Sequence, residues 1–220
     1  RNGLPEGSSV FKRLARGKVT LKDLGLNHQP CPGERFAKPI FDVSTKLEET
    51  DRYVTWEEAR KIAGLTRMEV ADLKAVLSKV NDAISRIASH AGLKNEDGKI
   101  ELAFNSERQL IVVDVVGTLD ECRFTYGGVH VSKEVARQFY KKTSWYVDVE
   151  EAKKTAETQV ATDWKALCKS QPPKLDAPLK TIISEMYLAA ANELTDRKLF
   201  DAPRLAEVIK KYKEYVGEKK

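Results

Sequence analysis

The stretch DGKIELAFNSERQLIVVDVV, Asp97 to Val116, decides the fold. Ile100, Leu102 and Phe104 alternate with Lys99, Glu101 and Ala103, and Gln109 to Val116 is rich in β-branched residues; both are marks of strands. Asn105 to Arg108 reads as the turn between them, so the two strands form an antiparallel β-hairpin. With Phe104 opposite Gln109, Lys99 falls opposite Asp114 and Glu101 opposite Val112, which groups Lys99, Glu101 and Asp114 on one face. A register shift of two residues preserves that grouping, because side chains alternate with period two.

Working outward, the hairpin is flanked by helices. Thr55 with Glu58, and Thr66 with Glu69, are capping boxes that mark two helix starts. In the second helix Val70, Leu73, Leu77, Val80, Ile84, Ile87 and Ala91 recur by three and four, giving one apolar face that ends at Gly92. Residues 1 to about 40 are rich in Gly, Pro and basic side chains and read as loops around a short apolar element, Val10 to Leu14. Downstream, helical patterns fall near 132–142, 148–170, 176–195 and 202–216, separated by Gln171-Pro172-Pro173 and Asp201-Ala202-Pro203. The expected class is α+β: a lobe of residues 1–144 with the hairpin and packed helices, then a helical region, 145–220.

The 220 residues, 41% of them hydrophobic, suffice for one sizeable core or two small ones. The longest apolar run, Leu110 to Val116, is interrupted by Asp114 and is too short to cross a bilayer, so no membrane partner is expected and the cytoplasm is the default compartment. Cys31, Cys122 and Cys168 are an odd number without metal-ligand spacing and read as reduced thiols. The net charge of +5 fits an anionic partner, but a solvated Lys-rich C-terminal tail accounts for that excess.

Asp114 is the most informative residue, because a carboxylate inside a core-like strand needs a partner. Two readings of it stand side by side. One is a cross-hairpin salt bridge to Lys99. The other is a metal site, in which Glu101 and Asp114 offer the hard oxygen ligands that Mg²⁺ uses, completed by nucleotide phosphates. Arg1-Asn2-Gly3-Leu4-Pro5-Glu6-Gly7-Ser8 sets an arginine and a hydroxyl around two glycines, a pattern that serves either a phosphate or a plain surface turn. Arg123 and Arg137, taken alone, read as solvated charges.

In order along the chain stand Arg1-Asn2 with Gly7-Ser8, then Ser44-Thr45-Lys46 with Glu48 and Asp51, then Asp97, Lys99 and Glu101, then Asp114, Thr118, Asp120, Arg123 and Phe124. This series, with Lys133-Glu134-Val135-Ala136-Arg137 as a last element, resembles the SAICAR synthetase family from Arg1 to about Tyr140. The resemblance implies an ATP-dependent ligase on an ATP-grasp-related scaffold, using ATP and Mg²⁺ to join carboxyaminoimidazole ribonucleotide to L-aspartate. It implies that Glu101 and Asp114 hold Mg²⁺ against the ATP phosphates, with Lys99 at the nucleotide. Arg1, Ser8 and Arg123, joined by Arg137, match the group that grips the ribonucleotide phosphate. Lys46 and Asp51 match a loop bordering the substrate carboxylate and aspartate, and Asp97 and Asp120 lie at positions close to the reaction centre. The pattern departs from the family at Val115, where a second acid is usual, at Leu119, often Pro, and at Ala103, commonly Gly. The Arg1 motif also carries one extra residue before its Gly-Ser. The family's N-terminal nucleotide-binding lobe has no counterpart in these residues and is expected to precede Arg1.

Two rival readings remain open at this point. One is another ATP-dependent ligase or kinase on the same scaffold. The other is a non-catalytic basic module that binds a polyanion; against nucleic acid as its partner stands the lack of a clustered aromatic platform, despite Trp145-Tyr146 and Tyr212 to Tyr215 near lysines. A helical extension is also a surface that can bury against a second copy, which admits a homo-oligomer.

Overall fold

Capping chemistry sets the helices on either side of the hairpin. A computed structural model describes residues 9–31, 33–46, 48, 52–159 and 163–217. The chain divides into two units, Arg1–Gly127 and Gly128–Lys220. The sequence-based boundary after residue 144 lies inside the second.

In the first unit, α1 (Ser9–Ala15) buries Val10 completely, and Arg13 pairs with Asp42 and lies 4.3 Å from the centre of the Tyr53 ring. Two short antiparallel strands follow, β1 (Val43–Ser44) and β2 (Tyr53–Val54), with Val43 opposite Val54. α2 (Trp56–Ile62) opens at Thr55, whose hydroxyl accepts from the Glu58 amide at 3.1 Å, and Trp56 donates its indole N–H to the Phe41 carbonyl at 3.2 Å. α3 (Arg67–His90) carries the complete capping box: the Thr66 amide donates to Glu69 at 2.7 Å and the Glu69 amide to Thr66 at 3.1 Å. It closes in a Schellman arrangement around Gly92 at φ +70°, with Leu93 N–H reaching the Ala88 carbonyl at 2.8 Å. The expected apolar face buries Leu73 and Ala91 but not Ile87, which is half-exposed. The 3.6-residue period drifts, and Ala88 takes the inward place.

Four strands complete this unit: β3 (Lys94–Gly98), β4 (Glu101–Phe104), β5 (Leu110–Val113) and β6 (Cys122–Tyr126). β3 and β6 are antiparallel, with Asn95 opposite Phe124, Asp97 opposite Arg123, and an irregularity between Asn95 and Asp97 that leaves Glu96 as the extra residue. Neither strand is among the expected elements: β3 has no apolar periodicity, whereas in β6 Cys122, Phe124 and Tyr126 do alternate with Arg123 and Thr125. The expected hairpin is present as β4 and β5, but its register differs by one residue: Phe104 faces Leu110 and Glu101 faces Val113. The turn is the reason. The Asn105 amide closes on the Gln109 carbonyl at 3.0 Å, leaving a three-residue loop whose last member, Arg108, is left-handed at φ +61°. A four-residue loop would have given the expected pairing.

The second unit contains β7 (Val129–Val131), α4 (Glu134–Tyr140), α5 (Ser144–Gln159), α6 (Ala177–Thr195) and α7 (Leu205–Gly217). α5 begins earlier than the expected 148 and stops well before 170, where Trp164 to Leu167 forms a separate turn with Trp164 under the Lys153 ammonium at 5.3 Å. Leu179, Ile182, Met186, Ala189 and Ala190 of α6 and Leu205, Val208 and Ile209 of α7 are buried. Asp176 caps α6, accepting from the Leu179 amide at 2.9 Å with one carboxylate oxygen and from the Tyr215 hydroxyl at 2.8 Å with the other. Asn192 holds the turn between the two helices, accepting from the Leu199 and Phe200 amides at 2.8 and 2.9 Å. Among the described residues no helix is long and apolar enough to cross a membrane.

Candidate functional site

Glu101 opens β4, and two lysines converge on it. Lys46, just past β1, forms an ion pair with one carboxylate oxygen, and Lys99 approaches the same oxygen at 3.4 Å. Hydrogen bonding from Lys46, and secondarily from Lys99, holds the Glu101 carboxyl below its usual range. Three of the sequence-derived site residues thus form one cluster, Lys46 from one segment and Lys99 with Glu101 from another.

Asp114 follows β5 and leaves the ladder. Its backbone is left-handed at φ +66°, the side chain is exposed, and one carboxylate oxygen accepts from the Val115 amide at 2.8 Å. Lys99, between β3 and β4, pairs with Glu101 two residues on rather than across the hairpin to Asp114. Among the described residues no cation forms an ion pair with Asp114. The expected grouping of Lys99, Glu101 and Asp114 on one ladder face does not hold, because the one-residue register change sets Val113 opposite Glu101. The positive φ then frees Asp114 from strand alternation altogether.

Asp97 and Arg123 are also brought together. They are opposite each other in β3 and β6, and the guanidinium grips the carboxylate with two bonds, Nε to Oδ1 at 2.6 Å and Nη2 to Oδ2. Asp97 is only 6% exposed, so this fork is what makes its burial tolerable. Beside it Glu96, also buried, pairs with Lys94 at 2.9 Å and accepts from Thr125 at 3.0 Å. Asp120 is exposed on a turn over buried Leu119, closed by the Cys122 amide on the Thr118 carbonyl at 2.8 Å. Arg137 lies in α4 of the second unit, with Glu134 at 3.5 Å. Arg1, Ser8 and Asp51 lie outside the described residues.

The three thiols are free, as expected, and burial pushes that of Cys122 up to about 11, which makes it inert as a nucleophile. Among the described residues no group of three acids, histidines or cysteines has metal-binding geometry. Glu101 and Asp114 are hard oxygen donors of the kind of which Mg²⁺ takes one or two, filling the rest of its octahedron with water and phosphate oxygens. In the sequence Arg108 reads only as a turn residue; its signal is the odd loop length, which a pairing drawn from strand ends does not register.

The SAICAR synthetase family profile matches residues 8–159. A provisionally named phosphoribosylaminoimidazole-succinocarboxamide synthase of Archaeoglobus fulgidus is 46% identical over 97% of this chain and 62% of its own length. The phosphoribosylaminoimidazole-succinocarboxamide synthase of Thermoplasma acidophilum is 34% identical over 86% of this chain and 64% of its own. Among solved structures, the SAICAR synthase of Saccharomyces cerevisiae, complexed with SAICAR, aligns over 88% of this chain and 58% of its own with a TM-score of 0.61 at 18% identity, a likeness of fold. The chain belongs to the SAICAR synthetase family. It spans less than two thirds of the length of these relatives.

Proposed function

We propose that this chain supplies the substrate-binding and metal-binding part of an ATP-dependent ligase of purine biosynthesis. The reaction joins carboxyaminoimidazole ribonucleotide and L-aspartate to give SAICAR, ADP and phosphate. Family membership supports the reaction class, and one observation of this chain supports the site: an exposed, left-handed Asp114 with no ion pair among the described residues, at the end of an otherwise apolar strand. A carboxylate kept there for stability would have taken the Lys99 bridge.

A carboxylate is a poor acyl donor, because oxide would have to leave. An oxygen of the ribonucleotide carboxylate therefore attacks the γ-phosphorus of ATP, the bond to ADP breaks, and an acyl phosphate results. The aspartate amine then adds to the acyl carbon, loses a proton, and phosphate departs with the electron pair of the C–O bond. Glu101 and Asp114 would hold Mg²⁺, which when bound would neutralise charge on the transferring phosphoryl group. Lys99 faces the nucleotide beside Glu101, and Lys46, with Asp51, borders the substrate carboxylate and the incoming amine. Arg1, Ser8 and Arg123 hold the ribose phosphate, and Asp97 and Asp120 flank the reacting groups. Positioning of this kind contributes up to about 7 to 11 kcal/mol in ideal cases. All these residues fall within 1–144, which is the catalytic lobe on this reading.

The test is ADP release by the intact protein with each substrate omitted in turn, on the native enzyme and on Asp114→Asn. Asn tolerates left-handed backbone as Asp does, so this variant removes charge without adding strain. Release should require both the ribonucleotide and aspartate, and Asp114→Asn should abolish turnover with the unfolding midpoint unchanged. A variant with near-native activity removes the metal role.

A further inference from the structure

The two residues at the middle of β5, Ile111 and Val112, point to opposite faces of the strand, yet each is 41% exposed. Apolar burial therefore does not choose between the observed register and its one-residue neighbour, a situation in which strands slip. The choice is made at the loop, and there Arg108 is held from outside the hairpin. Its Nε donates to Glu69 Oε1 at 2.7 Å, and its Nη2 to Glu69 Oε2 at 3.3 Å and to the Gly64 carbonyl at 3.2 Å. The guanidinium also lies 5.2 Å from the centre of the Phe104 ring. Glu69 is itself fixed, since it completes the capping box of α3 on Thr66. A non-glycine residue in left-handed backbone is strained, and this set of contacts is what holds it there.

We propose that Arg108 is a positioning residue: its grip on Glu69 and Gly64 locks the three-residue loop, and with it the register that sets Glu101 opposite Val113 and releases Asp114 from the ladder. The consequence for catalysis rests on the metal role assigned above to Glu101 and Asp114. Asn105 reinforces the loop from within, accepting from the Glu107 and Gln109 amides at 3.1 and 2.7 Å.

Two variants separate the side chain from the backbone. Glu69→Gln keeps the capping box, because Gln serves at that position, but removes the charge that Arg108 grips. Arg108→Gly keeps the left-handed loop and removes the guanidinium. In both, amide hydrogen exchange in 101–113 should quicken by about three- to fivefold while 94–98 and 122–126 stay within about twofold. The KM for Mg·ATP should rise by a similar factor, with the KM for the ribonucleotide unchanged. Unaltered exchange in 101–113 overturns the lock, whatever the kinetics. Faster exchange with both KM values raised equally overturns the positioning role. The metal reading fails by a different measurement: Asp114→Asn keeping full activity while the hairpin loosens in Glu69→Gln sinks it and leaves the lock standing as a feature of the fold.

Discussion

The pairs β3–β6 and β4–β5 invert what their compositions suggest. β3 reads Lys94-Asn-Glu-Asp-Gly98, yet Asn95, Glu96 and Asp97 are all less than a tenth exposed. β5 reads Leu110-Ile-Val-Val113, yet Ile111 and Val112 lie well open to solvent. Composition tells which partners a strand can accept. Whether it is covered depends on what the rest of the chain brings to it. β3 is covered because β6 carries Arg123 and Thr125 at the positions that satisfy its acids, and because Phe124 and Cys122 bury on the same strand.

Removing the partner that permits this burial should have the largest effect. Arg123→Ala takes the guanidinium fork away from a nearly enclosed Asp97, and should lower the unfolding free energy by about 3 to 5 kcal/mol in a denaturant titration. A loss below about 1 kcal/mol would mean that water reaches Asp97 and that the contrast between the two pairs is weaker than drawn. On the proposed function, any Arg123→Ala protein that still folds should show a raised KM for the ribonucleotide and less change for ATP.

Gly98 tests the same region by shape. A Cβ there would lie 2.7 Å from the buried Cys122 sulfur. Gly98→Ala should therefore cost about 1 to 3 kcal/mol, and adding Cys122→Ala should recover part of the loss by making room. Failure of the second change to recover anything would point to backbone strain rather than the sulfur contact.

Acid should act on the other pair first at its tip. Hydrogen bonding from Arg108 above all, and from Thr66, lowers the Glu69 carboxyl to about 2 from its usual 4.5. A carboxyl depressed in the folded state binds fewer protons there than in the unfolded chain. Its stabilisation is therefore full above pH 4.5 and drains away as the pH falls toward 2. Glu69→Gln should flatten that part of the stability-versus-pH curve; an unaltered acid limb would show that other carboxylates account for it. The smallest effect should come from Val112→Thr, within about 0.5 kcal/mol of the native protein, as for most surface changes. A cost of 2 kcal/mol or more would show that something covers β5 in solution.

Much of the fold was readable because it rests on local chemistry. Thr55 and Thr66 cap their helices as their spacing to Glu58 and Glu69 requires, and the antiparallel pairing of β4 with β5 follows from alternation and a short turn. What escaped is non-local. β3 becomes a strand only through residues of β6 that lie far along the chain, and no periodicity records that pairing. The site divides the same way. Residue types and alternation foretold a charged cluster of Lys99, Glu101 and Asp114; the structure keeps Lys99 with Glu101, leaves Asp114 out and brings in Lys46, which alternation could not place there. The face on which Asp114 would lie depended on a register, and the register turned on Arg108 adopting a backbone conformation that its residue type does not advertise.

Asp176 carries one last implication. A single carboxylate both starts α6 and receives the hydroxyl of Tyr215, late in α7, so two points far apart in sequence are closed through one side chain. C-terminal trimming that reaches Tyr215 would thus be felt at the start of the preceding helix, as fraying of the opening turn of α6 and fresh protease cleavage near Pro178.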